Sequence, residues 1–177
     1  MKAIRAHAAG GPEVLSLDEL PRRAPGPGEA RVRLAFAGVN FIDVYHRTGL
    51  YDPGPRPAPL GREGAGVVDA VGAEVTAVAA GDRVAFTDAA GAYAEEIVLR
   101  ADRLLPVPAG VSDEAAAALP LQGMTADYLV RDIGRVAAGD RVLFTCRELK
   151  GSLPLTASAT QATMRRCKRL SMSPVMS

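Results

Sequence analysis

Glycine and proline divide most of this chain into short segments, and this punctuation restricts the possible folds more than any other feature. The chain has 177 residues, of which 18 are Gly and 13 are Pro. Clear breaks occur at Gly10-Gly11-Pro12, at PGPGE (25–29) and in the proline-rich stretch from Pro53 to Pro59. Such breaks interrupt long helices but are needed between short strands. The pattern therefore favours a mainly β fold over a helical bundle.

The segments between these breaks carry strand signals. Residues 2–7 and 14–20 alternate weakly between apolar and polar side chains, which predicts two strands. The segment ARVRLAFAG (30–38) alternates more strongly, so we expect a half-buried strand with Val32, Leu34 and Phe36 on one face. By contrast, FIDVYHRTGLY (41–51) is too polar for a core strand and predicts a short helix or turn.

Glycine positions in the next segments predict tight local packing. The glycines of GREGAGVVDAVG (61–72) lie where two chain segments would need to approach closely. The sequence VAAGDRV occurs at both 78–84 and 136–142. We interpret each copy as a Gly-Asp turn that leads into a Val-rich strand.

Helical signals appear only after these strands. In SDEAAAAL (112–119), Ser112 is a suitable N-cap, and two acidic residues follow it in the first turn. Pro120 should end this helix, and a second should run from Gln122 or Met124 to about Arg135. The apolar run RVLF (141–144) is typical of a strand buried on both faces. The order predicts a β-rich domain followed by the start of an α/β domain.

Charge and cysteine content exclude several classes of function. The 21 basic and 20 acidic residues leave a net charge of +1, so no global field would recruit nucleic acid or an anionic membrane. Two cysteines cannot form a disulfide-rich scaffold or a four-thiolate zinc site. The sequence has neither a secretory signal nor an apolar run of membrane-spanning length. We expect a cytoplasmic protein with no membrane or nucleic-acid partner.

The composition changes abruptly after Thr145. Up to that residue the chain has 15 basic and 19 acidic residues, whereas the remainder has 6 basic and 1 acidic residue. Both cysteines, Cys146 and Cys167, lie in this last stretch, which has no aromatic residue and no sustained hydrophobic period. A segment of this kind buries too little apolar surface to offset the entropy of ordering its backbone. We expect residues 146–177 to be disordered or loosely attached.

Six motifs in the first 144 residues carry a family resemblance. They are GGPEVL (10–15), AGVNFIDVYHRTGLY (37–51), GREGAGVV (61–68), GDRVAF (81–86), GAYAEE (91–96) and LQGMTADYLV (121–130). In this order they resemble the quinone oxidoreductase (zeta-crystallin-like) branch of the zinc-independent medium-chain dehydrogenase/reductase superfamily. The resemblance implies a chaperonin-10 (GroES)-like β-barrel catalytic domain over 1–120. Residues 121–145 would be the first helix and strand of an incomplete Rossmann nucleotide-binding domain, and 146–177 a tail unrelated to the family.

The resemblance also implies a function and a set of site residues. Members of this family transfer hydride from NADPH to a quinone or a related electrophilic carbonyl compound. Tyr45 and Tyr51 would line the pocket for nicotinamide and substrate, and Thr125 would meet the nicotinamide end of the cofactor. Asn40 has an amide with donors and an acceptor, so it could hold an oxygen of the cofactor or the substrate. The simpler alternatives are that both tyrosines are half-buried core rings and that Thr125 caps a helix.

Two substitutions bear on metal binding. Asn40 stands where zinc-dependent relatives have a cysteine ligand, and Arg62 stands where they have a histidine. A guanidinium cannot bind zinc and an amide is a poor ligand for it, so we expect no catalytic metal.

Other polar residues of this region have simpler interpretations. Asp43 and Arg47 are four residues apart, which predicts an i,i+4 ion pair. His7 and His46 share no metal-site spacing and are expected to be surface or packing residues. His46 is also a candidate proton donor, because it lies beside the expected pocket.

One element needed for catalysis is not found in the sequence. Dinucleotide-binding domains seat the pyrophosphate on a Gly-rich turn at a helix N-terminus. After RVLF this chain continues TCRELKGSLPL, in which Gly151 is the only glycine. We therefore expect an NADPH-dependent quinone oxidoreductase by resemblance that is catalytically impaired. The alternatives are a non-catalytic β module from a truncated or frameshifted gene, and the remnant of an enoyl or alkenal reductase.

Overall fold

The computed structural model describes residues 1–137 and shows a mainly β architecture. The chain divides into two units, Met1–Met124 and Thr125–Ser177. The expected buried strand at 141–144, the tail at 146–177 and both cysteines lie outside the described residues.

Eight strands and two complete helices belong to the first unit. The strands are β1 (Lys2–Ala6), β2 (Leu15–Glu19), β3 (Glu29–Gly38), β4 (Ala58–Pro59), β5 (Glu63–Val71), β6 (Arg83–Phe86), β7 (Glu96–Arg100) and β8 (Leu105–Pro106). The helices are α1 (Phe41–Thr48) and α2 (Asp113–Ala118), and short 3₁₀ turns cover Pro12–Val14 and Ala101–Arg103. A third helix, α3 (Pro120–Tyr128), runs across the boundary between the units and is followed by a π-helical turn at Leu129–Ile133.

The strands form two antiparallel sheets. The smaller sheet has the order β2-β1-β4 and the larger the order β7-β3-β5-β6-β8. Hydrogen bonds join the sheets, because Ile4 N donates to Tyr93 O at 2.7 Å and Glu95 N donates to Lys2 O at 3.0 Å. This mainly β arrangement confirms the expected fold class.

The main core lies on one face of the larger sheet. Its central side chains are Val32, Val68, Val84 and Phe86, and all four are almost completely buried. A smaller cluster joins α2 to the sheet through Ala116 and Ala117. The N-cap prediction for this helix is confirmed, since the Ser112 hydroxyl accepts a hydrogen bond from Ala115 N at 3.3 Å.

A β-bulge changes the expected alternation in β3. Leu34 pairs with Gly66 and Phe36 pairs with Ala65, so Ala35 is an extra residue in the ladder. The side chains beyond it therefore point to the opposite face. Val32 is fully buried, whereas Phe36 is 43% exposed. The prediction that Phe36 shares a face with Val32 and Leu34 was wrong.

The glycines of β5 permit the close approach that the sequence predicted. A Cβ atom at Gly66 would lie 2.1 Å from Arg33 O, a distance that no side chain can occupy. Strands β3 and β5 pair along most of their lengths because this position carries no side chain.

The second predicted helix begins earlier than expected. Helix α3 begins at Pro120, since proline is well suited to the first turn of a helix, and the π-helical turn after it ends at Ile133. No helix among residues 1–137 has both the length and the apolarity needed to cross a membrane.

Candidate functional site

Helix α1 carries most of the residues expected at the site. Asn40 precedes its first residue in an extended conformation, and Gly49 follows its last at a φ of 82°. Asp43 Oδ2 accepts a hydrogen bond from Asn40 N at 2.9 Å, which satisfies a backbone donor at the helix N-terminus. The start of α1 is therefore fixed by its own first turn.

The side chain of Asn40 is held by a buried carboxylate. Its Nδ2 atom donates to Glu63 Oε1 at 2.8 Å. Glu63 is the first residue of β5 and is completely buried. Its second oxygen, Oε2, accepts from Leu121 N at 2.9 Å, in the first turn of α3. One carboxylate thus joins the start of α1, the start of β5 and the start of α3.

Glycine at position 38 makes room for this carboxylate. A Cβ atom there would lie 2.4 Å from Glu63 Oε1 and 2.6 Å from Ala117 O. The end of β3 can therefore pack directly against both Glu63 and α2.

Tyr45 and Tyr51 form an aromatic pair beside Asn40 in the sequence. Their ring centroids are 5.3 Å apart at an interplanar angle of 67°, an edge-to-face arrangement. Phe41 extends the group, with its ring centroid 6.1 Å from that of Tyr45. Tyr45 is partly buried and Tyr51 is 51% exposed, so Tyr51 is a surface ring rather than a core ring.

Asp43 does not form the ion pair predicted from its spacing with Arg47. No ion pair joins these two residues in the described part of the chain. Asp43 is instead only 5% exposed and accepts from the Tyr93 hydroxyl at 2.8 Å as well as from Asn40 N. Burial, followed by this hydrogen bond to Asp43, raises the pKa of Tyr93. The prediction was wrong because Asp43 faces the protein interior.

The remaining candidate residues lie at separate places. Arg62 forms an ion pair with Asp88. His7 is a surface residue whose Nε2 lies 2.9 Å from Asp18 Oδ1. Residues 1–137 contain no group of three or more His, Cys, Asp or Glu side chains placed to hold a metal ion.

Thr125 lies in the second unit, on an exposed position of α3. Because α3 begins at Pro120, Thr125 is not at a helix start, and the capping alternative for it was wrong. The structure therefore groups Asn40, Tyr45 and Tyr51 on one segment of the first unit.

Sequence reasoning missed two residues that organise the site. Glu63 and Tyr93 both lie in motifs that carry the resemblance, GREGAGVV and GAYAEE, but neither was predicted to be a site residue. A charged side chain is expected at the surface unless it is paired, and the partners of Glu63 are 23 and 58 residues away. The motif glycines around Glu63 were the available signal, since they indicate tight packing at that position.

Comparison with known proteins shows what this chain is similar to. Residues 26–109 match the alcohol dehydrogenase GroES-like domain. A quinone oxidoreductase from Pseudomonas aeruginosa is 47% identical over 144 residues, which are 81% of this chain and 44% of that enzyme. This chain is a homologue of the quinone oxidoreductases.

Two further proteins are similar to this chain over nearly the same residues. The crystal structure of Escherichia coli quinone oxidoreductase complexed with NADPH superimposes with a TM-score of 0.73 at 42% identity, covering 75% of this chain and 41% of that one. A 2-haloacrylate reductase from Burkholderia is 41% identical over 143 residues, which are 77% of this chain and 43% of that enzyme. The GroES-like fold and the resemblance to quinone oxidoreductases are confirmed. The chain spans less than half the length of these relatives.

Proposed function

We propose that this chain carries the substrate-binding part of an NADPH-dependent quinone oxidoreductase. The observation that supports this most is the aromatic pair Tyr45 and Tyr51, on the same chain segment as an asparagine whose amide is held by Glu63. A quinone and a nicotinamide are both flat conjugated rings, which aromatic side chains bind by stacking or edge contacts. The homology to quinone oxidoreductases supports the same assignment.

Each residue of the proposed site has a separate task. Tyr45 and Tyr51 bind the flat ring and exclude water from one side of it. Asn40 holds an oxygen or amide group of a reactant, and Glu63 keeps the Asn40 amide in one orientation. With no nucleophile or acid–base dyad assigned, these residues act through proximity and orientation.

NADPH, when bound, would supply the hydride. Residues of this chain can be assigned to only one part of the NADPH molecule, its nicotinamide ring. The aromatic pair fits a flat ring such as nicotinamide. The only glycine after the RVLF strand signal, Gly151, lies outside the described residues, and the sequence there lacks the Gly-rich pattern that seats a pyrophosphate. We therefore propose weak NADPH affinity and slow turnover for the chain as it stands.

A second activity is supported by the 2-haloacrylate reductase, which is similar over nearly the same residues. The compound in the name of that enzyme, a 2-haloacrylate, has a carbon–carbon double bond activated by a carboxylate. The described residues suit a small enone as well as a quinone, so both belong in the same test.

Turnover by the full chain tests the activity. Purified protein is mixed with NADPH and a small quinone, or with a small enone, and loss of reduced cofactor is followed. We expect slow turnover compared with the full-length Pseudomonas aeruginosa enzyme. Tight NADPH binding with rapid turnover would overturn the proposed impairment.

Quinone binding without cofactor tests the site itself. A small quinone should shift the NMR signals of the Tyr45 and Tyr51 rings, and Tyr51→Ala should weaken binding at least several-fold. Tyr128→Ala, at another exposed tyrosine, is the matched control and should leave binding unchanged. Equal loss in both variants, or no binding by the unmodified chain, would favour a non-catalytic β module.

A further inference from the structure

Three buried polar atoms at the inner side of α1 have no hydrogen-bond partner among residues 1–137. They are Asp43 Oδ1 and the two ring nitrogens of His46, Nδ1 and Nε2. Asp43 is only 5% exposed, so solvent at the protein surface does not satisfy its free oxygen. Leaving such groups unsatisfied costs far more than a single hydrogen bond contributes, and native proteins rarely tolerate it.

These atoms belong to residues that line the same small cavity. Its volume is about 80 Å³, and Asp43, His46, Asp52, Leu60 and Arg62 contribute to its wall. A space of about 10–15 Å³ for water centres is enough to hold one water molecule, so the cavity has room for at least two. A buried water also needs two to four polar partners, which Asp43 and His46 can supply.

The other charged and polar neighbours have hydrogen-bond partners elsewhere, and Asp52 Oδ1, for example, accepts from Gly54 N at 2.9 Å. Arg62 pairs with Asp88, and the Tyr93 hydroxyl donates to Oδ2 of Asp43 rather than to Oδ1. Arg56 reaches His46 only through the backbone, donating from Nη2 to His46 O at 3.2 Å. A metal ion is not supported, because residues 1–137 offer no cluster of three ligating side chains. Water is the ligand that fits both the volume and the unpaired groups.

We propose that this cavity is a binding site for one or two ordered water molecules, held between Asp43 Oδ1 and the His46 ring. The water completes a hydrogen-bonded chain that runs from Tyr93 through Asp43 to His46. This chain fixes the inner face of α1 against the loop that precedes β5. The proposal is independent of the proposed oxidoreductase activity, and its test uses no cofactor.

Oxygen-17 relaxation dispersion of water tests the site in the full chain, because it counts water molecules that reside in a protein for long times. We expect His46→Leu, which removes both ring nitrogens, to lower the number of long-lived waters by one or two. His46→Gln keeps polar atoms at the site and should retain most of the signal. His7→Leu, at the exposed histidine, should leave it unchanged.

The outcomes decide the proposal in either direction. An unchanged count in His46→Leu would overturn it, and so would an equal loss in His46→Leu and His7→Leu. If His46→Leu does not fold, a crystal structure of the unmodified chain gives the second measurement. Ordered solvent within hydrogen-bond distance of Asp43 Oδ1 supports the site, whereas a direct contact between the Asp43 carboxylate and the His46 ring, with no solvent between them, refutes it.

Discussion

At the scale of single residues, buried carboxylates hold separate segments of the chain together by accepting hydrogen bonds. Glu63 is completely buried and accepts one hydrogen bond through each oxygen, from Asn40 Nδ2 at 2.8 Å and from Leu121 N at 2.9 Å. A buried charge is tolerated only when donors surround it in this way. Each donor therefore matters more than an ordinary surface hydrogen bond.

Exchanging the carboxylate and the amide between positions 63 and 40 should measure how much the contact between Glu63 and Asn40 contributes to stability. Glu63→Gln replaces one acceptor oxygen with an amide donor that faces Asn40 Nδ2 or Leu121 N, so we expect a loss of about 1–3 kcal/mol in the free energy of unfolding. Asn40→Asp places a second carboxylate against Glu63 and should cost at least as much at neutral pH.

The double variant with both changes restores donor and acceptor in reversed order. Its stability in urea unfolding should exceed the sum expected from the single variants, as in a double-mutant cycle. Simple additivity would show that the two side chains do not interact.

Tyr93 makes the second important contact with a buried carboxylate. Tyr93→Phe removes the hydroxyl that donates to Asp43 Oδ2 at 2.8 Å, and we expect it to lower the free energy of unfolding by about 1–3 kcal/mol. Tyr128→Phe, at an exposed ring, is the control and should change stability very little. A similar effect of both changes would mean that the Asp43 contact does not stabilise the fold.

The raised pKa of Tyr93 also predicts a pH dependence. The unfolded chain releases this proton near the ordinary pKa of 10.0, whereas the folded chain retains it to higher pH. Its contribution is therefore fully present below that pH and is lost as pH rises through the higher pKa of the folded state. The difference in unfolding free energy between the unmodified chain and Tyr93→Phe should shrink in strongly alkaline solution. A constant difference would contradict this assignment.

Among the secondary-structure elements, prediction succeeded where the signal is local. Ser112 was identified as the cap of α2 because an N-cap depends on a hydroxyl and the next few residues. It failed for the inward direction of Asp43, which depends on Tyr93, a residue 50 positions away. The bulge at Ala35 could not be predicted either, because it is defined by the pairing of β3 with β5 rather than by the sequence of β3 alone.

The close contact at the end of β3 gives a prediction at the level of elements. Gly38→Ala would place a methyl group 2.6 Å from Ala117 O, so β3 and α2 must move apart. We expect a loss of about 1–3 kcal/mol in unfolding free energy, the usual range for overpacking.

Gly123→Ala is the matched control for this change. Nothing lies within 4 Å of the added methyl group there, and the position is helical, so stability should rise by about 0.5–1 kcal/mol. Thermal unfolding of both variants measures the contrast. Equal effects would show that α2 does not limit the space at Gly38.

On the scale of the whole molecule, apolar side chains are exposed around α1. We call this group the α1 surface, and its members are Val39, Phe41, Val44, Leu50 and Tyr51. Val39 is 79% exposed and Leu50 is 66% exposed. Grouped apolar side chains at a surface mark binding sites or promote association.

Replacing two of these residues tests that property. Val39→Gln combined with Leu50→Gln should lower the fluorescence of a bound hydrophobic dye and reduce self-association in sedimentation. Leu17→Gln with Leu119→Gln, at exposed residues elsewhere, should have a smaller effect. Equal effects of the two pairs would mean that the α1 surface has no special role.

The bulge at Ala35 has a consequence for how chains of this kind can change in length. Because Leu34 pairs with Gly66 and Phe36 with the adjacent Ala65, removing Ala35 would leave a regular ladder in which Phe36 still points outward and Ala37 still packs on the core. The loss of that one codon would thus preserve the inside and outside of β3, whereas the loss of a paired residue nearby would reverse them up to the residues that lead into α1. Apart from the loss of Ala35 itself, insertions and deletions should be tolerated in the proline-rich loop long before they are tolerated between Val32 and Asn40.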